Sequence, residues 1–200
     1  MGITENDKRI YTAEEYYKMI PETARKVELI NGEIVSEYPL DELMRGDVKT
    51  SLMAGPTVEH QKIVGRLFSS FDSFIIKNKG KCNAFVSPLD VELDSRNVYQ
   101  PDVFIVCDSD KISDKRIYGA PDLVVEVLSE SNKKHDLTDK YAEYISSGVR
   151  EYWIVDPSKK QTIVCLFRDP VDISFYPFDK PVPVGIWDGA LEITIAELLA

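Results

Sequence analysis

Between Thr57 and Lys77 the apolar positions Ile63, Val64, Leu67, Phe68, Phe71, Phe74 and Ile75 recur at helical spacing. That period predicts one long helix ending near Gly80, with His60 in its first turn. Upstream, Thr12-Ala13-Glu14-Glu15 has the form of a capping box and opens a short helix to about Met19, where Pro21 stops it. Two short alternating runs, Val27 to Ile30 and Glu33 to Val35, flank Asn31-Gly32 and predict a two-residue hairpin. The segment from Tyr38 to Pro56, with two prolines and two glycines, reads as an irregular loop. The second half is strand-dominated, with runs over 82–93, 102–107, 121–128, 150–156, 162–167 and 172–178. One helix is expected over 136–147, capped by Asp136 and stopped by Gly148. Residues 191–199 predict a last strand or short helix. Short hairpin-like links exclude a purely parallel doubly wound sheet, so the expected class is α+β: a mixed central sheet flanked by helices, with an N-terminal helix and β-hairpin.

At 200 residues and 44% hydrophobic composition, the chain is expected to form one domain over 1–200. Its three cysteines, Cys82, Cys107 and Cys165, lack CxxC spacing, and the histidines are His60 and His135. Neither a disulfide framework nor a structural zinc site is expected, and the protein reads as reduced and cytoplasmic. The first eight residues are polar and no apolar run reaches the length of a membrane span, so neither secretion nor membrane insertion is expected. The formal charge of −10 weighs against general affinity for a polyanion. Any nucleic-acid contact must then use local basic surface. Lys77 to Lys81, Lys111 to Arg116, Lys133-Lys134 and Lys159-Lys160 are the short clusters available, each of which also suits a solvated loop.

Two acids interrupt apolar strand-like runs: Asp102 in Pro101-Asp102-Val103-Phe104-Ile105-Val106 and Glu126 in Leu123-Val124-Val125-Glu126-Val127-Leu128. A buried carboxylate costs several kcal/mol unless compensated, by a divalent cation, a Lys or Arg partner, backbone N–H groups or protonation. Asp122 and Glu126 share a strand face but lie about 13 Å apart, too far to share one ion. Asp102, on another strand, has no such limit, although Pro101-Asp102 also suits a simple strand start. On the 136–147 helix, at about 100° per residue, Lys140 borders the stripe of Leu137, Tyr141, Tyr144 and Ile145. Its long stem can carry the ammonium to the sheet or snorkel to solvent.

Pro101-Asp102, Glu126 on the next apolar strand and a lysine beyond it resemble a variant of the PD-(D/E)XK nuclease motif. The block Gly119-Ala120-Pro121-Asp122-Leu123-Val124-Val125-Glu126-Val127-Leu128-Ser129-Glu130-Ser131-Asn132 is followed by Asp136-Leu137, Lys140, Tyr141, Tyr144 and Gly148-Val149-Arg150-Glu151-Tyr152-Trp153-Ile154-Val155-Asp156-Pro157. It is similar to the Uma-type restriction endonucleases. Glu28 to Ile34, His60 four residues after Pro56, and Gln100-Pro101-Asp102-Val103 extend the resemblance over residues 10–170. The motif's usual lysine position, two after the glutamate, holds Leu128, and the resemblance makes Lys140 its replacement. It implies Mg²⁺- or Mn²⁺-assisted hydrolysis of DNA, duplex or branched, with Asp102 and Glu126 as metal ligands and Lys140 acting on the attacking water. Glu28 and His60 would support them, as a second-shell or second-metal ligand and as a phosphate or water contact; a core or capping role suits either equally. A homodimer is expected on symmetry grounds. The same residues also suit a nuclease-like interaction protein without turnover, or a structure-specific nuclease such as a junction resolvase.

Overall fold

The computed structural model describes residues 9–20, 27–36, 56–129 and 133–200. Helix α1 (Ala13–Met19) begins at the expected capping box: Glu15 N–H donates to Thr12 Oγ1 at 3.2 Å and Thr12 N–H to Glu15 Oε2 at 3.0 Å. Strands β1 (Val27–Ile30) and β2 (Glu33–Ser36) form the hairpin, with Asn31 and Gly32 both at positive φ, as a turn of this hand requires. Gly32 has a second constraint, because a Cβ there would stand 2.4 Å from Ile10 Cγ2. Helix α2 (Val58–Lys77) buries the stripe Ile63, Val64, Leu67, Phe71 and Ile75.

The later elements are β3 (Asn83–Val86), β4 (Val91–Asp94), β5 (Asn97–Tyr99), β6 (Val103–Val106), β7 (Ile117–Tyr118), β8 (Leu123–Val127), α3 (Lys133–Ser147), β9 (Glu151–Asp156), β10 (Gln161–Leu166), β11 (Asp172–Pro177), β12 (Pro181–Pro183), β13 (Glu192–Thr194) and α4 (Ile195–Leu199). A six-stranded mixed sheet runs β11-β10-β9-β8-β6-β3, and a five-stranded one runs β2-β1-β5-β4-β7. Strands β8 and β9 are parallel, joined across α3, while β6 pairs antiparallel with both β8 and β3. One face of the larger sheet packs Val103, Ile105, Val125, Val127 and Trp153 against α2 and the C-terminal segment. Its other face packs Phe104, Val124, Tyr152 and Ile154 with Tyr144 of α3 and with Ile30, Val91 and Tyr99 of the smaller sheet. The core is therefore two layers deep around β8, which is buried along its whole length. This is the expected α+β class.

The structure corrects four expectations. The 82–93 run is two strands in different sheets, because Ser87-Pro88-Leu89 breaks the ladder where proline has no N–H to give. Strands β5, β7 and β12 have two or three residues each, too short to show a period. Helix α3 starts at Lys133, so Asp136 lies inside it and is not its cap. Gly148 at φ 91° does end it, with Val149 N–H reaching back to Tyr144 C=O at 3.0 Å. Finally, Cys82 and Cys107 form a disulfide, against the reduced state expected from their spacing. The β3–β6 ladder pairs Asn83 with Val106, and the next pair outward is these two cysteines, 25 residues apart in sequence. Cys165 is free and buried, and burial pushes its thiol up to about 11. The Tyr38–Pro56 loop falls outside the described residues up to position 55. No described helix is long and apolar enough to cross a membrane.

Candidate active site

Central strand β8 carries Glu126 toward α3, and only 4% of this residue is exposed. Its Oε1 accepts hydrogen bonds from Lys140 Nζ and from Tyr144 OH, each at 3.0 Å. Lys140 and Tyr144 stand one turn apart on α3, so a single helix face delivers both donors. Lys140 is 6% exposed, which excludes snorkelling, and its ammonium also lies 3.3 Å from Glu28 Oε1. Glu28 comes from β1 of the other sheet, where the same oxygen accepts the Gln100 backbone N–H at 2.9 Å. Gln100 in turn donates from its side chain to Asp90 Oδ1 at 2.8 Å.

Asp102 immediately precedes β6. The register pairs Val103 with Val125, and one step outward it sets Asp102 opposite Glu126. Asp102 Oδ2 accepts the Val127 backbone N–H at 2.8 Å and stands 3.2 Å from His60 Nε2 on α2. All five residues singled out in the sequence thus gather where β6 begins and β8 ends, linked by contact as Glu28–Lys140–Glu126 and His60–Asp102. Asp122 lies at the far end of β8, receiving Cys107 N–H at 2.8 Å and Arg150 Nη1 at 3.0 Å, which makes it a structural acid. Leu128 is buried with Tyr144 in the core and brings no charge.

The electrostatics follow from burial. Burial, more than any neighbour, holds the Asp90 carboxyl above its ordinary range; the Gln100 hydrogen bond and Arg116 oppose it, and Glu28 adds to it. The Tyr144 phenol is pushed well above its usual value, first by burial and then by the Glu126 charge, so it stays a donor. Tyr144, Gln100 and Asp90 escaped the sequence reading as site residues. For Tyr144 the i, i+4 spacing from Lys140 was the available signal. Gln100 stood beside Pro101-Asp102 in the resemblance, but its link to Glu28 and Asp90 exists only because β1, β5 and β4 lie side by side in the smaller sheet.

Lys140 pairs with Glu28 and Glu126, Asp90 joins Glu28 through Gln100, and Asp102 lies on the strand beside Glu126. Hard oxygen donors in excess of local positive charge fit a divalent cation, and Mg²⁺ in particular uses one or two carboxylates and keeps several waters. Among the described residues, no three His, Cys, Asp or Glu side chains are already gathered as a cage. Asp102, which meets His60, and Glu126, which meets Lys140 and Tyr144, stand on neighbouring strands and are the acids that would hold such an ion.

The protein is thus an α+β one, a mixed sheet flanked by helices, with a buried Lys140–Glu126 ion pair on its central strand. Residues 40–184 match the model of the Uma2 family, described as "Putative restriction endonuclease", and the chain belongs to that family. Among solved structures it is similar to one titled a "putative nuclease belonging to DUF820" from Anabaena variabilis, with a TM-score of 0.71 and 21% identity over 94% of this chain and 96% of that one. That likeness is one of fold. No curated protein matches the chain.

Proposed function

We propose that this protein is a divalent-metal-dependent endonuclease hydrolysing DNA phosphodiester bonds, built as one domain and acting in the cytoplasm as a homodimer. Membership of a nuclease family supports the reaction class. The observation that carries the finer reading is the buried Lys140 ammonium, 3.0 Å from Glu126. A helix thereby returns to the site the positive charge that Leu128 cannot supply.

Asp102 and Glu126 are the ligands we assign to Mg²⁺ or Mn²⁺. When bound, the ion supplies Lewis-acid stabilisation of phosphate charge and activation of water. The chain's own groups do the rest. Lys140, fixed between Glu28 and Glu126, orients the attacking water and offsets the charge that builds on the phosphate oxygens as the new P–O bond forms and the ester P–O bond breaks. Tyr144, held protonated, restrains Glu126 Oε1 and prevents it from turning away. Glu28 anchors the ammonium from the smaller sheet.

The test is cleavage of a panel of supercoiled, linear, branched and single-stranded DNA. Mg²⁺ and Mn²⁺ should support cutting, Ca²⁺ should bind with little turnover, and Lys140→Gln and Glu126→Gln should each lose at least about a hundredfold in rate, the scale of one acid–base or electrostatic contribution. Wild-type protein that cuts nothing on the panel with any of these ions would overturn the enzyme reading in favour of an interaction protein.

A further inference from the structure

His60 is 9% exposed, and its main chain is pinned where Thr57 Oγ1 accepts its N–H at 3.1 Å. Its Nε2 lies 3.2 Å from Asp102 Oδ2, and its other ring nitrogen, Nδ1, is buried with no hydrogen-bond partner among the described residues. Among the described residues, the polar group the ring meets is Asp102. That same oxygen accepts the Val127 N–H at 2.8 Å. The His60 ring from a helix and the Val127 N–H from a central strand thus meet at one oxygen, Oδ2, and among the described residues Oδ1 accepts no hydrogen bond.

We propose that His60 is a positioning residue: with the Val127 N–H it holds Oδ2 so that Oδ1 of Asp102 is presented to the divalent cation. The inference rests on the assignment of Asp102 as a metal ligand. A ring so deeply buried, with Nε2 spent on Asp102, is better placed for this than for touching phosphate. Groups that orient a metal ligand from behind typically change metal affinity by about 10- to 100-fold when removed.

Calorimetric titration with Mn²⁺ alone, without DNA, tests it on wild type, Asp102→Asn, His60→Phe and His60→Gln, with melts in chelator to establish that each is folded. His60→Phe should weaken Mn²⁺ binding by about 10- to 100-fold. His60→Gln, whose amide nitrogen can reach Oδ2, should recover most of it, which a merely structural role for the ring would not produce. If the phenyl ring prevents folding, His60→Asn, too short to reach, takes its place. Wild-type binding lost in Asp102→Asn but kept at full affinity in His60→Phe would overturn the positioning role and leave the metal reading standing. Absence of Mn²⁺ binding in wild type would overturn both.

Discussion

At the scale of single residues, the site is an arrangement of buried charges that cannot be altered one at a time without consequence. Lys140 compensates Glu126 and Glu28 together, so removing it leaves two carboxylates with less compensation in a low-dielectric setting, a change that typically costs about 3–5 kcal/mol. Asp90 behaves differently, because burial disfavours its charged form and raises its pKa in the folded protein. The folded state then binds a proton more tightly than the unfolded one, so this group favours folding as pH falls and opposes it once pH rises through the raised folded value. Asp90→Asn keeps an acceptor for the Gln100 amide and removes the charge. Melts across pH 4 to 8 should show the variant at least as stable as wild type at neutral pH, with the difference shrinking or reversing toward pH 4. A variant markedly less stable at neutral pH would mean that the ionised Asp90 is favoured by its surroundings. In the sequence, Asp102 and Glu126 stood out because isolated acids in apolar runs are conspicuous, and Lys140 followed from helical arithmetic. Asp90 lies in a Pro-Leu-Asp-Val context that suits any turn, and its neighbours Gln100 and Glu28 reach it only because β4, β5 and β1 adjoin in the smaller sheet.

Among the elements, those whose signal is local were legible. The α1 capping box, the Asn31-Gly32 hairpin, the α2 stripe and the Gly148 stop each rest on residues within a turn or two of one another, and each is present. The elements that escaped depend on distant partners. Strand β5 is a strand because β1 and β4 flank it, and the Cys82–Cys107 bond exists because β3 and β6 are neighbours. That bond ties the edge strand β3 to β6, the strand that follows Asp102, at the end of β6 remote from the site. Closing a loop of 25 residues restricts the unfolded chain by about 3 kcal/mol in the chain-entropy model. Cys82→Ser/Cys107→Ser should therefore melt several degrees lower under oxidising conditions, and wild type treated with a thiol reductant should fall to the same value. Equal melting of oxidised wild type and the double variant would show that the pairing adds nothing to stability. Cleavage should survive the double variant, since neither sulfur lies near Asp102 or Glu126.

For the whole molecule, the formal charge of −10 has to be reconciled with a polyanionic substrate, and topology offers the means. Strand β9 runs parallel to β8, with Val155 beside Val127, so the turn after β9 leaves the sheet at the site's end. Asp156, almost wholly buried, shapes that turn through Oδ1, which accepts from Ser158 N at 3.0 Å, Ser158 Oγ at 2.6 Å and Lys159 N at 3.2 Å. Lys159 and Lys160 are thereby held exposed on a defined loop, and Lys62 lies two residues beyond His60 on the exposed side of α2. Lys77 ends α2, about 25 Å of helix from His60, and Lys81 lies just beyond it. On sequence alone Lys133-Lys134, near the proposed site, is the first candidate for a basic face; the side chains of both lie outside the described residues, and sequence does not say which cluster the fold brings to the same edge as the acids. If phosphates meet this edge, log affinity for duplex DNA, measured in Ca²⁺, should fall with log salt at a slope near −0.9 for each phosphate neutralised. Lys159→Gln/Lys160→Gln should make that slope shallower by about 2, while Lys77→Gln/Lys81→Gln should leave it unchanged. A net negative protein should also lose nearly all detectable binding at high salt, since no diffuse positive field supplements the local contacts. An unchanged slope in the first variant with a shallower one in the second would place the DNA at the opposite end of the sheet, away from Asp102, and would count against the acid cluster as the place where the backbone is cut.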